Sequence, residues 1–214
     1  TTASISARRI SWARPERSGL RRRRRARRRR ACDAVVSHNL FFALWPDDDV
    51  RARIASAARQ LKKAHAPRGR WIEPHRYHLT LRYLGAHASV PDALLAAAYA
   101  AGNAARAASF GLVLDTTGSF ANRRIPWWLG CAAMPAGLDA LWTGIEAGLR
   151  SNGVAIGEPA PRVAHVTILR DADRPLVPAR IESIVWPVCE FVLIDSLLGP
   201  EPTYTILSRW PLAA

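Results

Sequence analysis

Several features are scarce in this 214-residue chain, and each shortage narrows what it can be. No apolar run approaches the ~18 residues that span a bilayer, and nothing in it resembles the apolar segment of a signal peptide, so no membrane role is expected. Cysteine is rare: Cys32, Cys131 and Cys189 are odd in number, far apart and in no Cys-x-x-Cys pair. That argues against a disulfide framework and a cysteine zinc site, and a reducing cytoplasm is the simplest compartment. Acidic residues are few, 17 Asp and Glu against 31 Lys and Arg, for a formal charge of +14. The excess is unevenly placed. Thirteen arginines precede residue 40, nine of them between Arg21 and Arg30, against Glu16 and Asp33 alone, so residues 1–39 carry +11 of the +14. Such a run repels itself and reads as a disordered tail. It could meet nucleic-acid phosphates through counterion release, but it has no aromatic interleaving and no amphipathic period. Met134 is the one methionine, and the tail is read as the product of a misassigned start or a truncated sequence.

What the chain does have, twice, is a short string. His78-Leu79-Thr80-Leu81 and His165-Val166-Thr167-Ile168 repeat His-x-Thr-apolar, with the histidines 87 residues apart. On a β-strand the period of two puts each His and Thr on one face and the apolar residues on the other. A lone His-x-Thr carries little information, because Thr favours strands and half-buried histidines are commonly just hydrogen-bonded. Two copies in matching apolar frames can aim two imidazole and hydroxyl pairs into one cleft. Imidazole gives or takes a proton near neutral pH, so a pair supplies both general acid and general base. That is the chemistry needed to displace a phosphodiester with water.

These residues resemble the two-histidine (2H) phosphoesterases, and among them the LigT-like RNA 2′,3′-cyclic phosphodiesterases, also called 2′-5′ RNA ligases. The likeness extends beyond the motifs. Leu40-Phe41-Phe42-Ala43-Leu44-Trp45-Pro46 is similar to the family's opening strand, and Arg70-Trp71-Ile72-Glu73-Pro74 leads into the first motif. Gly118-Ser119-Phe120, Trp128-Leu129-Gly130 and Arg209-Trp210-Pro211-Leu212 follow in family order. One departure is Ala164, where the family usually has proline. The resemblance implies that residues 40–214 form one α+β phosphoesterase domain, two related lobes of strands and helices with the active site in the cleft between them. It implies His78 as the acid that protonates the departing 3′ oxygen, His165 as the base that deprotonates water, and Thr80 and Thr167 as donors to the phosphate oxygens. The product would be a 2′-phosphomonoester. No cofactor and no metal are expected, and the partner is RNA ending in a 2′,3′-cyclic phosphate, or a cyclic nucleotide, met by a monomeric cytoplasmic enzyme. Two alternatives stay open: a 2H enzyme for a small molecule such as a cyclic nucleotide, and a non-catalytic RNA-binding protein on the same fold.

Arginine is the natural phosphate clamp. Arg82 lies four residues after His78, hence on the same strand face. Arg170 lies five after His165 and falls on the other face unless the strand bends, although the family commonly has arginine there. Both are candidates. His38, His65, His75 and His87 read as surface loop residues. Trp127, Trp128 and Phe42 could stack bases or fill the core. The coarse element pattern is a strand over 40–45, a helix capped by Asp47 with Val50, Ile54, Ala57 and Leu61 inward, the first catalytic strand over 77–83, and an alanine-rich helix over 91–108. Strands over 110–114 and 125–132 follow. A helix with Leu138, Leu141, Ile145 and Leu149 on one face stops near Asn152-Gly153. The second catalytic strand runs over 162–169, and strands over 189–196 and 203–210 close the chain.

Overall fold

The structure is a computed structural model that describes residues 37–157, 162–198 and 203–214. The arginine-rich stretch through residue 36, expected to be disordered, lies outside the described residues. The first strand, β1 (Ser37–Leu44), reaches three residues further back than the expected boundary at residue 40. It is followed by α1 (Asp48–His65), β2 (Arg70–Trp71), a 3₁₀ turn (Pro74–Arg76), β3 (Leu79–His87), α2 (Asp92–Ala104), β4 (Phe110–Ser119) and β5 (Ile125–Gly130). Then come α3 (Ala136–Ser151), β6 (His165–Ala172), β7 (Ala179–Val188), β8 (Glu190–Leu198) and β9 (Thr203–Pro211). The α+β expectation holds.

All nine strands join one antiparallel sheet in the order β7-β4-β5-β6-β3-β1-β8-β9, with β2 pairing β6. The two lobes are thus halves of a continuous sheet. They meet where β3 and β6 pair at one position, Leu79 with Val166, whereas β1 and β3 pair along the whole of β1 from His38. Alternation along β1 sets the two faces. Leu40, Phe42 and Leu44 turn to the main core, which also takes Leu79, Leu81, Val166 and Ile168 and the buried sides of the helices. Phe41 and Ala43 face the other way, with Val192 and Ile194, in a smaller cluster.

Local signals account for the helices. Asp47 accepts from the Val50 amide at 2.8 Å and so satisfies an orphan donor of α1, while Asp48 and Asp49 favour the positive end of its dipole. The α3 stripe is buried as its spacing requires, with Leu138, Leu141, Ile145 and Leu149 all at 0 % exposure. Strand β7 was not anticipated, because Glu182 and Pro187 interrupt its pattern. It lies at the sheet edge, where proline's missing donor costs no ladder bond.

Helix α3 approaches α2 closely because Gly148 carries no side chain. A Cβ there would sit 2.8 Å from the Ala101 Cα and 3.0 Å from its Cβ. Gly144, one turn earlier, has 3.6 Å to its nearest neighbour. Helix propensity favours alanine over glycine by about 1 kcal/mol at both sites, and overpacking at Gly148 opposes it by about 1–3 kcal/mol. Urea unfolding of the two variants is expected to give opposite signs: Gly148→Ala loses stability, and Gly144→Ala gains up to about 1 kcal/mol. Stabilisation by both would show that the two helices do not meet at Gly148.

Candidate active site

The Leu79–Val166 pair determines the site. In an antiparallel arrangement the residues flanking such a pair run in reverse order, which sets His78 toward Thr167 and Thr80 toward His165 although only Leu79 and Val166 pair. All four project from the face opposite Leu79 and Val166, which are wholly buried in the main core. The two motifs, 87 residues apart in sequence, become neighbours through one register.

Each imidazole is tied in the same way. His78 Nδ1 lies 2.8 Å from the Arg76 carbonyl oxygen, and His165 Nδ1 lies 2.7 Å from that of Val163, two residues back in both cases. A carbonyl only accepts, so each Nδ1 carries the proton and donates it. Each Nε2 is left as the working atom, bare on a neutral ring and protonated on an imidazolium. Aromatic rings surround both. His78 packs 5.0 Å from Phe41 and 5.6 Å from Tyr204 between ring centroids, with Trp45 stacked at 6.3 Å. His165 has the edge of Phe120 at 4.9 Å and Trp128 at 6.2 Å. Burial disfavours the charged ring, so the pKa of His78 is pushed down to about 4, with the positive charges of Arg170, His165 and Arg76 adding to the effect against the carbonyl bond. Burial also lowers His165, opposed by its bond to Val163.

The arginines fall out differently from the period-two expectation. Strand β3 bulges at Leu81: Thr80 pairs Ala43 and Arg82 pairs Phe42, so one residue is extra. Strand β6 bulges at Ile168, since Thr167 pairs Trp128 and Leu169 pairs Trp127. Both bulges come three residues after the histidine, and each shifts the alternation by one. In β6, Ile168 and Leu169 are both buried and Arg170 swings to the cleft side. In β3 the same slip brings Tyr83 to the cleft and turns Arg82 away, where its guanidinium meets Glu146 of α3 at 3.4 Å. Arg82 therefore does not line the cleft.

Two cavities of ≈ 400 Å³ and ≈ 270 Å³ share Arg70, Arg124 and Arg170. The larger contains His78, Thr80, Tyr83 and Tyr204, and the smaller contains Thr167. His165 lies against the Phe120 and Trp128 wall. Sequence reasoning missed Arg70, Arg76, Arg124 and Tyr204. The three arginines come from a two-residue strand, a 3₁₀ turn and a loop, and no periodicity signals a direction there. Arg76 stacks over the Tyr204 ring at 4.7 Å. Trp127 and Phe42 are core residues, 1 % and 0 % exposed, and Phe41 rather than Phe42 faces the site. Of the other histidines, His38 and His87 sit in strands, bonded to Asp195 and the Leu84 carbonyl. His65 ends α1, and only His75 lies in a surface turn. Among the described residues no three His, Cys, Asp or Glu side chains form a metal-binding group.

The family model LigT like Phosphoesterase matches residues 44–128. An RNA 2′,3′-cyclic phosphodiesterase of Thermus thermophilus is 32% identical over 187 residues, 81% of this chain and 89% of that protein. One of Geobacillus stearothermophilus is 30% identical over 151 residues, 66% of this chain and 47% of that protein. Crystal structures of E. coli LigT superpose on 83% of this chain and 99% of LigT. The apo form has a TM-score of 0.68 at 28% identity, and the 3′-AMP complex 0.69 at 27%.

Burial dictates how the imidazoles titrate. By nuclear magnetic resonance, His78 is expected to protonate near pH 4 and His165 below the ordinary ~6.5. Inorganic phosphate should raise both midpoints, because a bound anion favours the imidazolium. A His78 midpoint at or above ~6.5 in the free protein would contradict the buried, arginine-flanked setting.

Proposed function

The chain belongs to the LigT-like phosphoesterases, and on that footing we propose that it hydrolyses RNA 2′,3′-cyclic phosphate ends to 2′-phosphomonoesters by paired-imidazole catalysis. The observation that carries this reading is the pair of matched histidines. Each has Nδ1 tied to a carbonyl and Nε2 free, on a sheet face that also bears two threonine hydroxyls and the arginine-lined cleft.

The cyclic diester carries one negative charge. Arg170, with Arg70 and Arg124, draws the phosphate into the cleft, and Thr80 and Thr167 donate hydrogen bonds to its non-bridging oxygens, where charge develops. Water attacks phosphorus in line with the departing oxygen. His165 Nε2 takes the water's proton as the P–O bond forms, and His78 Nε2–H delivers its proton to O3′ as the P–O3′ bond breaks. The reaction leaves a 2′-phosphate, a free 3′-hydroxyl, a charged His165 and a neutral His78, and proton exchange with solvent restores the starting pair. The asymmetry of the cleft supports this order. The leaving oxygen belongs to the ribose, so the nucleoside must lie on the side of the acid, and the ≈ 400 Å³ cavity opens beside His78. With its pKa pushed down to about 4, the free His78 imidazole is overwhelmingly neutral at pH 7. The bound phosphate charge raises the protonated fraction, which couples substrate binding to arming of the acid.

The larger cavity suits one nucleotide, and the E. coli relative is known in complex with 3′-AMP. Cyclic mononucleotides are accordingly substrates as well as cyclic-ended RNA. The catalytic body is the part from Ser37 onward, acting as a cytoplasmic monomer on RNA ends. Among the described residues no helix is long and apolar enough to cross a membrane.

His78→Ala and His165→Ala are each expected to fold and to lose about 10²–10⁴ in kcat on a cyclic mononucleotide, with the double variant losing far less than the product. A substrate with a much better leaving group should rescue His78→Ala and not His165→Ala. Rescue in the opposite pattern would reverse the roles, and full activity in either single variant would remove the paired mechanism.

Arg170 is tested separately. Its replacement by Met should raise KM by roughly tenfold or more, the worth of a charge-assisted bond to phosphate. An unchanged KM would take Arg170 out of the site.

A further inference from the structure

The catalytic strands pair at only one position, yet two imidazoles must be held on opposite sides of one phosphorus atom. Helix α3 reaches both strands. Its Trp142 indole donates to the carbonyl of Leu81, the bulge residue three after His78, at 2.5 Å. One turn further along, Glu146 is 8 % exposed and divides its two oxygens between the strands. Oε1 accepts from Arg82 of β3 at 3.4 Å, and Oε2 accepts from Arg162, just ahead of β6, at 3.0 Å. Arg162 is further fastened to α3 through Asp139 Oδ1 at 2.6 Å and the Thr143 hydroxyl at 3.1 Å. The next residue is Val163, whose carbonyl holds the His165 Nδ1 proton.

We propose that Glu146 is a positioning residue that fixes the spacing of His78 and His165 by joining Arg82 and Arg162 through one carboxylate, without touching substrate. The inference rests on the paired-histidine reading. Backbone pairing supplies little of this rigidity at the histidines themselves: β3 and β6 share one pair, and the β2 pairs with β6 at Arg70–Arg170 and Trp71–Leu169 lie further along β6 from His165. A carboxylate bridging two guanidiniums resists relative motion of the strands there, and being mostly out of water it is weakly screened. A lateral slip on the order of 1 Å between acid and base costs turnover far more than it costs phosphate binding. This also gives Arg82 a task away from the cleft.

The test uses the full chain with Glu146→Gln, Arg162→Met and their double variant, checked for folding by circular dichroism and assayed on cytidine 2′,3′-cyclic phosphate well below each Tm. Each single variant is expected to lose roughly tenfold or more in kcat with KM changed by less than about threefold, and the double to lose little beyond the worse single. A folded Glu146→Gln with kcat within about twofold of the parent would overturn the proposal, as would losses that multiply in the double or a rise in KM with kcat retained. If Glu146→Gln does not fold, Arg162→Met decides on the same kcat criterion. The outcome is separable from the catalytic reading: loss of activity in the histidine variants with Glu146→Gln unaffected would remove the bridge alone.

Discussion

The proposed site depends on one backbone pairing, Leu79 against Val166, at the middle of a continuous antiparallel sheet. It is the only register position β3 and β6 share, and it converts two remote strings into a four-residue patch of alternating imidazole and hydroxyl. The apolar partners make the pairing obligatory. Leu79, Leu81, Val166 and Ile168 lie in the main core, and slipping either strand by a residue would expose that strand's apolar pair and bury its histidine. Hydrophobic burial on one face thereby sets the arrangement of histidines and threonines on the other.

The same burial governs the electrostatics. The rings that pack around His78 and His165 exclude water and push both imidazoles toward the neutral form. In that form the Nδ1 protons are held by the carbonyls of Arg76 and Val163, and Nε2 is a base. The arginines that draw a phosphate in also oppose charge on His78, so a proton is costly there until an anion arrives. In such a cleft the imidazoles are neutral and the positive charge rests on the arginines, and an arriving anion favours the imidazolium form.

The bulges at Leu81 and Ile168 carry a wider lesson. Two strands related by sequence bulge at the same offset from their histidines, and the slip sends Arg170 and Tyr83 into the cleft and Arg82 out of it. Period-two reasoning places all three on the wrong face for one shared reason: an extra residue is invisible to a pattern that assumes strict alternation. Arg82 then serves the helix layer, where Glu146 ties it to the segment ahead of His165.

The family and the class of fold were legible in the amino-acid sequence. The doubled motif named both histidines and both threonines, the alternation assigned their faces, and the helical stripe of α3 and the Asp47 cap marked their elements, because these signals are local and periodic. Only the folded chain shows which arginines line the cleft, which aromatic rings wall the histidines, and that one sheet runs through both halves. Those depend on bulges, on strand order and on turns such as those bearing Arg76 and Arg124. Each is settled by packing between residues far apart in the chain, and no repeat in the sequence encodes it.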